Sequence, residues 1–554
     1  MRPSAMTLFA VILFAGSCAS PISGPADAVR AGGTAVIAWQ EPDTLNPLYS
    51  TGSQTSTLIS SLAVEGLVRT GPSGEPMAVL AREVPTLANG GVRMGSDGMD
   101  VRYDLRAAVR WSDGSPFTSA DVAYTWSVVM QDPKVASREG YDVIDRIDRP
   151  DELTAIVHYR AVYPAYLTRF DAILPQHLLA GADEATRTAY GRTPLGTGPF
   201  RIMEFRSGDQ VIAERNPMYR FPPKPLLDRV IVRFTPSIDV AKAQLRAGEV
   251  QAAPSLGEAD VADLTAGGVT VETSSSPMVE ALAFNLAAPG NPADPQRPHS
   301  VLGDLAVRRA LLLATPKQRI VDRLLGGRPN AGTSEMPLGV FAAADLRQDA
   351  YDPGAARGAL DAAGWMPGPD GIRSRAGVRA SLTVTSTTGN RVREQVEQVL
   401  VDEWKAIGVE LRIRNVPAAV LTGTWGSGGI RKRGDFDIVL AQLGLTSPDP
   451  QSYLAQRHRC DAVPTTANGG SGANYERFCD PAVDGALSRA GALLDTAARR
   501  AAYGDVLRIT NAAILDIWLY DRARINAYAS VLGGHEPNPW DVATWNVQDW
   551  SLAR

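Results

Sequence analysis

Between Leu382 and Leu440 the apolar period changes from two to 3.6 and back to two, and no other feature restricts the fold as much. Leu382 to Thr385 reads as a short strand. From Arg391 to Ile407, Val392, Val396, Val399, Leu400 and Ile407 share one helical face, and Gly408 follows as a C-terminal stop. Val409, Leu411 and Ile413 then alternate with Glu410, Arg412 and Arg414 as a second strand, and Phe436 to Leu440 forms a further apolar run. Strand, helix and strand in this order predict a right-handed crossover within a parallel or mixed sheet. The fold class expected is therefore α/β (mixed α+β).

The N-terminal part adds further elements. Ala35 to Trp39 reads as a strand, with structure beginning at Thr34. Residues 99–106 alternate apolar and polar side chains, as a half-buried strand does. Trp111 to Gly114 is a tight turn, and Thr118 to Asp121 is a capping box for a helix carrying Val122, Trp126 and Val129. Trp111 and Trp126 are expected in the core. The 554 residues amount to roughly three or four domains' worth of chain. Net charge is −5 with Lys and Arg scattered, which gives no electrostatic footprint for nucleic acid.

The first residues read as an export signal. Arg2 precedes an eight-residue apolar run, Leu8 to Ala15, and Ala15-Gly16-Ser17 leads to Cys18. No later stretch approaches the roughly 20 apolar residues of a membrane span. Cys18 stands where a bacterial lipoprotein signal places its acylated cysteine, although Ala15 occupies a position where that pattern prefers Leu. A plain cleaved signal peptide is the alternative. Residues 1–18 are thus expected to be a lipoprotein signal and 19–32 a flexible tether. The other cysteines, Cys460 and Cys479, read as a local disulfide in an oxidising compartment. Neither has CxxC spacing, which disfavours redox catalysis and zinc. The five histidines show no ligand spacing; His458 near Cys460 reads as surface loop. No metal and no cofactor are expected.

Several segments together resemble the extracellular solute-binding protein family 5, the peptide- and nickel-binding class of ABC importers. They are Gly33 to Leu48, Val64 to Val68 with Gly74-Glu75-Pro76, Tyr103 to Trp126, Pro194 to Tyr219, Leu245 to Val250, Ala283 to Leu286, Tyr351-Asp352-Pro353 with Ala362 to Trp365, and Gly434 to Asp437 before Pro448-Asp449-Pro450. Gly196-Thr197-Gly198-Pro199 suits a tight turn; it lacks the Lys-Ser/Thr of a phosphate loop.

The resemblance implies a two-lobed periplasmic-binding-protein-like fold (class II, cluster C) with a hinge and an extra inserted domain. Mapped here, lobe I takes 33–65, 190–283 and 525–554, the inserted domain 66–189, and lobe II 284–524. It implies a monomer that is no enzyme. Such a protein captures a peptide or other small solute in the interlobe cleft and hands it to an ABC permease and ATPase complex, held outside the cytoplasm by a lipid anchor. In peptide-binding members an aspartate after the Phe-Asp strand pairs with the peptide amine; Thr446 stands at that position and cannot form an ion pair. Either Asp449 or another acid takes the role, or the ligand lacks a free amine. Leu443, Gly444, Leu445 and Thr446 are expected to line the cleft through backbone groups; Thr446 equally suits a turn bonded to its own backbone. Trp425 in a Gly-rich loop, and Tyr49, Ser53 and Gln54 on the first lobe, are further candidates. Rivals are a glycan or nickel-chelate binder on the same scaffold, a ligand sensor, and a secreted hydrolase. For the last, no GxSxG, HExxH or SxxK set occurs.

Overall fold

The computed structural model describes residues 32–50, 54–96, 98–264, 268–291, 294, 297–343 and 345–553. The expected signal and Cys18, the tether up to residue 31, and Ser53 lie outside them.

A ten-stranded mixed sheet runs through the molecule. Two long antiparallel strands, Val269–Phe284 and Asp516–Ala529, occupy its middle and pair from Val269↔Ala529 to Ala283↔Asp516. On one side lie Ala252–Leu256, Thr34–Trp39, Arg229–Phe234, Gln210–Arg215 and Phe200–Arg206. On the other lie Ile438–Gly444, Ser381–Thr387 and Glu410–Val416. Each half carries its own core: Ile37, Phe200, Val232 and Trp550 in the first, and Phe284, Leu311, Trp365 and Trp404 in the second. The long strands join them, and their register slips between Ser275 and Val279 and again between Glu280 and Ala281. Bulges of this kind bend and twist a strand, so the joint between the halves sits there.

The period switch at 382–440 is realised as expected. Ser381–Thr387 and Glu410–Val416 pair in parallel, Ser381↔Glu410 to Thr387↔Val416. Between them runs the helix Arg391–Lys405, with Asn390 capping its N-terminus and Val396, Leu400 and Trp404 buried. Gly408 follows with φ +86°, the left-handed stop that glycine adopts most cheaply.

A separate four-stranded sheet, ordered Val92–Met94, Met99–Asp104, Thr154–Tyr159 and Ile144–Asp151, packs against the helix Ser119–Gln131. That helix begins with the capping box read from Thr118 and Asp121. Trp111 is fully buried and Trp126 packs on the same core. A Cβ added at Gly196 would lie 1.9 Å from the Ala63 carbonyl oxygen, so the close approach of two backbones explains that glycine-rich turn. Asn216 completes it, its Nδ2 donating to Gly198 O at 2.8 Å.

Cys460 and Cys479 form the disulfide. His458 differs from the expectation of a surface loop: it is 1% exposed, and its Nε2 lies 2.9 Å from Glu335 Oε1. Its partner stands 123 residues away in the chain, beyond any local pattern. No helix among the described residues is long and apolar enough to cross a membrane.

Candidate ligand-binding site

The strand Ile438–Gly444 ends beside the joint. It pairs with the long strand from Phe284↔Ile438 to Met278↔Gly444, and Leu445 N–H donates to Pro277 O at 3.1 Å. Gly444 has φ +135°, and a Cβ there would lie 2.3 Å from Pro277 O. Leu443 is buried with Val279, Ala281, Ala283 and Trp518, and Leu445 is buried among Met336, Leu454 and Leu487. Only backbone of these two residues is left for a ligand, whereas Thr446 is exposed. On its other side the strand pairs with Ser381–Thr387 only at Val384↔Ile438 and Thr385↔Val439. Ser386 Oγ then donates to Leu440 O. Past that point no described strand flanks Ala441 to Gly444, which leaves a short open sheet edge next to the joint.

Asp449 fixes the end of this loop. Its carboxylate takes a two-pronged ion pair from Arg499, at 2.8 and 2.9 Å, and accepts Gln451 N–H at 3.0 Å. Arg499 is itself held by Tyr503 Oη at 2.6 Å. A carboxylate satisfied this way is a strut, and its charge is already matched. Trp425 is half-buried on its own half, with the Arg433 guanidinium 4.3 Å from its ring centroid and Gly470 pressed against its ring. Gln54 is exposed at the start of the helix Gln54–Ser60. Tyr49 turns the other way, packing on the four-stranded sheet's core and donating from Oη to Asp132.

The joint is braced by charge. Glu258 from the first half meets Arg522 on the long strand, Nε to Oε1, at 2.9 Å. Arg522 Nη1 also reaches Glu280 at 3.1 Å, and Glu280 takes Arg393 Nε, at the start of the second half's helix, at 2.6 Å. Both glutamates are buried, so each depends on its partners to offset desolvation. Nearby, burial pushes Asp521 up to about 6 and Lys317 down to about 8, against the attraction between them. Sequence patterns did not flag this set because Glu258 and Arg522 are 264 residues apart.

The halves also touch away from the joint. Trp540, in the C-terminal segment, packs on the second half's helical core, and its ring meets both Gly74 and Gly339. Leu494, from the second half, packs against the core of the four-stranded sheet.

Known proteins share this fold. The description "Bacterial extracellular solute-binding proteins, family 5 Middle" matches residues 82–463. Protein XP55 of Streptomyces lividans is 28% identical over 520 residues, covering 91% of this chain and 86% of its own. Oligopeptide-binding protein AppA of Bacillus subtilis is 27% identical over 475 residues, covering 81% and 82%. Its structure in complex with a nonapeptide superposes with a TM-score of 0.71 at 23% identity, over 95% of this chain and 100% of the other. NikZ from Campylobacter jejuni, in complex with Ni(L-His), gives a TM-score of 0.74 at 22% identity, over 94% and 99%. These likenesses establish the two-lobed binding-protein fold.

Proposed function

The chain belongs to the bacterial extracellular solute-binding proteins of family 5, the peptide- and nickel-binding class that serves ABC transporters, and on that premise we propose that its ligand is peptide-like and lies extended between the lobes. The open edge at Ala441 to Gly444 carries this reading. Unpaired backbone groups beside a hinge accept an added strand, giving affinity through main-chain hydrogen bonds that ignore side-chain identity. Relatives of this chain include one named for oligopeptide binding and solved with a nonapeptide, which supports the same ligand class.

On this reading Gly444 and Thr446 present backbone to the ligand, Leu443 and Leu445 anchor the loop from inside, and Asp449 positions it through Arg499. Thr446 stands where an amine-pairing acid would be expected, so the ligand's N-terminus is recognised without an ion pair. Closure on the ligand is driven by the surface it buries; moving a closed fraction from 1% to 99% takes about 5.5 kcal/mol of preference for the closed form. The monomer then presents that form to a permease and its ATPase. Acylation at Cys18 would keep it beside them outside the cytoplasm.

Calorimetry with a two- to six-residue peptide library, each member free or N-acetylated, tests the reading. Extended peptides should bind, and acetylation should change affinity by less than about threefold, since no charge is lost from an ion pair. Failure of the whole library to bind rejects a peptide ligand. A loss of about a hundredfold on acetylation rejects the role given to Thr446.

A further inference from the structure

Trp540 joins three parts of the molecule at one point. Its own segment belongs to the first half, since Val542 and Trp550 are buried in that half's core. The segment is also tied to the two-stranded hairpin of Val68–Thr70 and Pro76–Ala78. Asn538 Nδ2 donates to Thr70 O at 2.9 Å, Arg69 Nη1 donates to Trp545 O at 2.6 Å, and Arg69 pairs with Asp541. Asn538 Oδ1 accepts the Trp540 backbone N–H at 2.9 Å, which fixes the backbone from which the indole projects. Leu67 and Val68, where the hairpin begins, lie in the core of the four-stranded sheet.

The indole crosses to the second half. It packs against a core containing Met336 and Phe341, and a Cβ on Gly339, between those two, would lie 2.9 Å from its Cζ2. On the hairpin side a Cβ on Gly74 would lie 3.2 Å from its Nε1. The ring thus fills a slot whose walls come from different bodies. The same second-half core holds Leu445. Phe341 meets Tyr503 edge-on and lies under the Arg499 guanidinium, and Arg499 in turn holds Asp449. The slot therefore backs onto the core that seats the loop at 443–446. Two effects oppose each other there. Burial of the indole's apolar surface favours contact. Its Nε1, however, is enclosed without a hydrogen-bond partner among the described residues, and such a donor regains a partner from water when the halves separate. The contact is therefore reversible.

We propose that Trp540 is the latch between the halves: seated in the Gly74–Gly339 slot, it holds the closed form and thereby sets ligand affinity. Apparent affinity scales with the fraction of molecules in the form that binds, so loss of the latch weakens a ligand without altering any residue that touches it. The proposal rests on the two-lobed fold and not on the class of ligand.

Small-angle X-ray scattering of the full chain without added peptide reads the latch directly, and calorimetry with the tightest-binding member of the peptide library reads its effect on affinity. Trp540→Ala should lose the compact component of the parent's scattering and weaken the peptide about tenfold or more, as truncating a tryptophan at the centre of an interface does. Trp540→Phe keeps a ring in the slot and discards the unpaired N–H, so it should stay within about threefold of the parent. Gly339→Ala drives a methyl group into the ring from the second half; it should weaken the peptide about tenfold in the parent and less than about twofold in a Trp540→Ala background. Gly114→Ala, at φ +93° with nothing within 4 Å of the new Cβ, adds backbone strain without a wedge and should bind as the parent does. Unchanged scattering in Trp540→Ala, parental affinity in that variant, additive effects of Trp540→Ala and Gly339→Ala, or equal losses in Gly339→Ala and Gly114→Ala would each overturn the proposal. Scattering decides the matter even where no peptide binds, which separates a failed latch from a failed peptide reading.

Discussion

Gly444→Ala tests how the loop is held. Two separate costs arise. The backbone sits at φ +135°, and a side chain held in such a region costs on the order of 1–3 kcal/mol. The new Cβ would also lie 2.3 Å from Pro277 O and 2.7 Å from Met278 Cα. Both are backbone atoms of the long strand, so neither can swing aside. Relief requires the strand end to move away, which breaks the Leu445 N–H to Pro277 O bond at a further cost of about 0.5–1.5 kcal/mol. The sum is about 2–4 kcal/mol. Gly428→Ala provides the control: its φ is +76° with nothing within 4 Å of a new Cβ, so it meets backbone strain alone, about 1 kcal/mol. Urea unfolding followed by far-ultraviolet circular dichroism reads both variants, and peptide calorimetry reads the displaced loop. Gly444→Ala should be the less stable by at least about 1 kcal/mol and should bind peptide more weakly, whereas Gly428→Ala should bind as the parent does. Equal stabilities, or a Gly444→Ala protein with parental affinity, would refute the argument that this glycine seats the loop against the joint.

Other substitutions follow from the same structure. Reducing the Cys460–Cys479 bond, which closes a span of 19 residues, should lower stability by about 3 kcal/mol on the chain-entropy account, visible as a lower melting temperature in reductant. Arg522→Met should cost about 3–5 kcal/mol by stranding the buried Glu258, and Glu258→Gln in that background should restore most of it in urea titrations. Burial raises the Asp521 carboxyl to about 6. An acid raised by folding binds more protons folded than unfolded, so it favours the fold at pH 4 and that contribution is lost as pH rises through 6. Two pH units at about 1.4 kcal/mol each set a ceiling of about 3 kcal/mol, which the group's partial exposure reduces to about 1–2 kcal/mol. Asp521→Asn should flatten the difference in unfolding free energy between pH 4 and 7 by that amount; parallel curves for parent and variant would count against it.

Local patterns made much of the fold legible. The alternation at 99–106, the capping box at Thr118 and the face of Arg391–Lys405 are each set by neighbours within a few residues, and each appears where expected. The loop at 443–446 was singled out by the family resemblance, from its place between the Phe-Asp strand and Pro448-Asp449-Pro450, and not by any period of its own. What stayed hidden depends on distant partners. His458 is buried by Glu335 and Asp449 is occupied by Arg499, and no spacing rule joins such pairs. Tyr49 shows the same limit: its place in the chain is legible, but its direction is decided by Asp132, 83 residues on.

Trp540 lends itself to observation by light. Its indole is gripped between two glycines that belong to opposite sides of the molecule, so parting the lobes must wet it, while Trp111, Trp365, Trp404 and Trp550 stay dry inside single cores. Emission from this one residue would then shift with opening and closing, giving an intrinsic optical gauge of lobe motion without any attached dye.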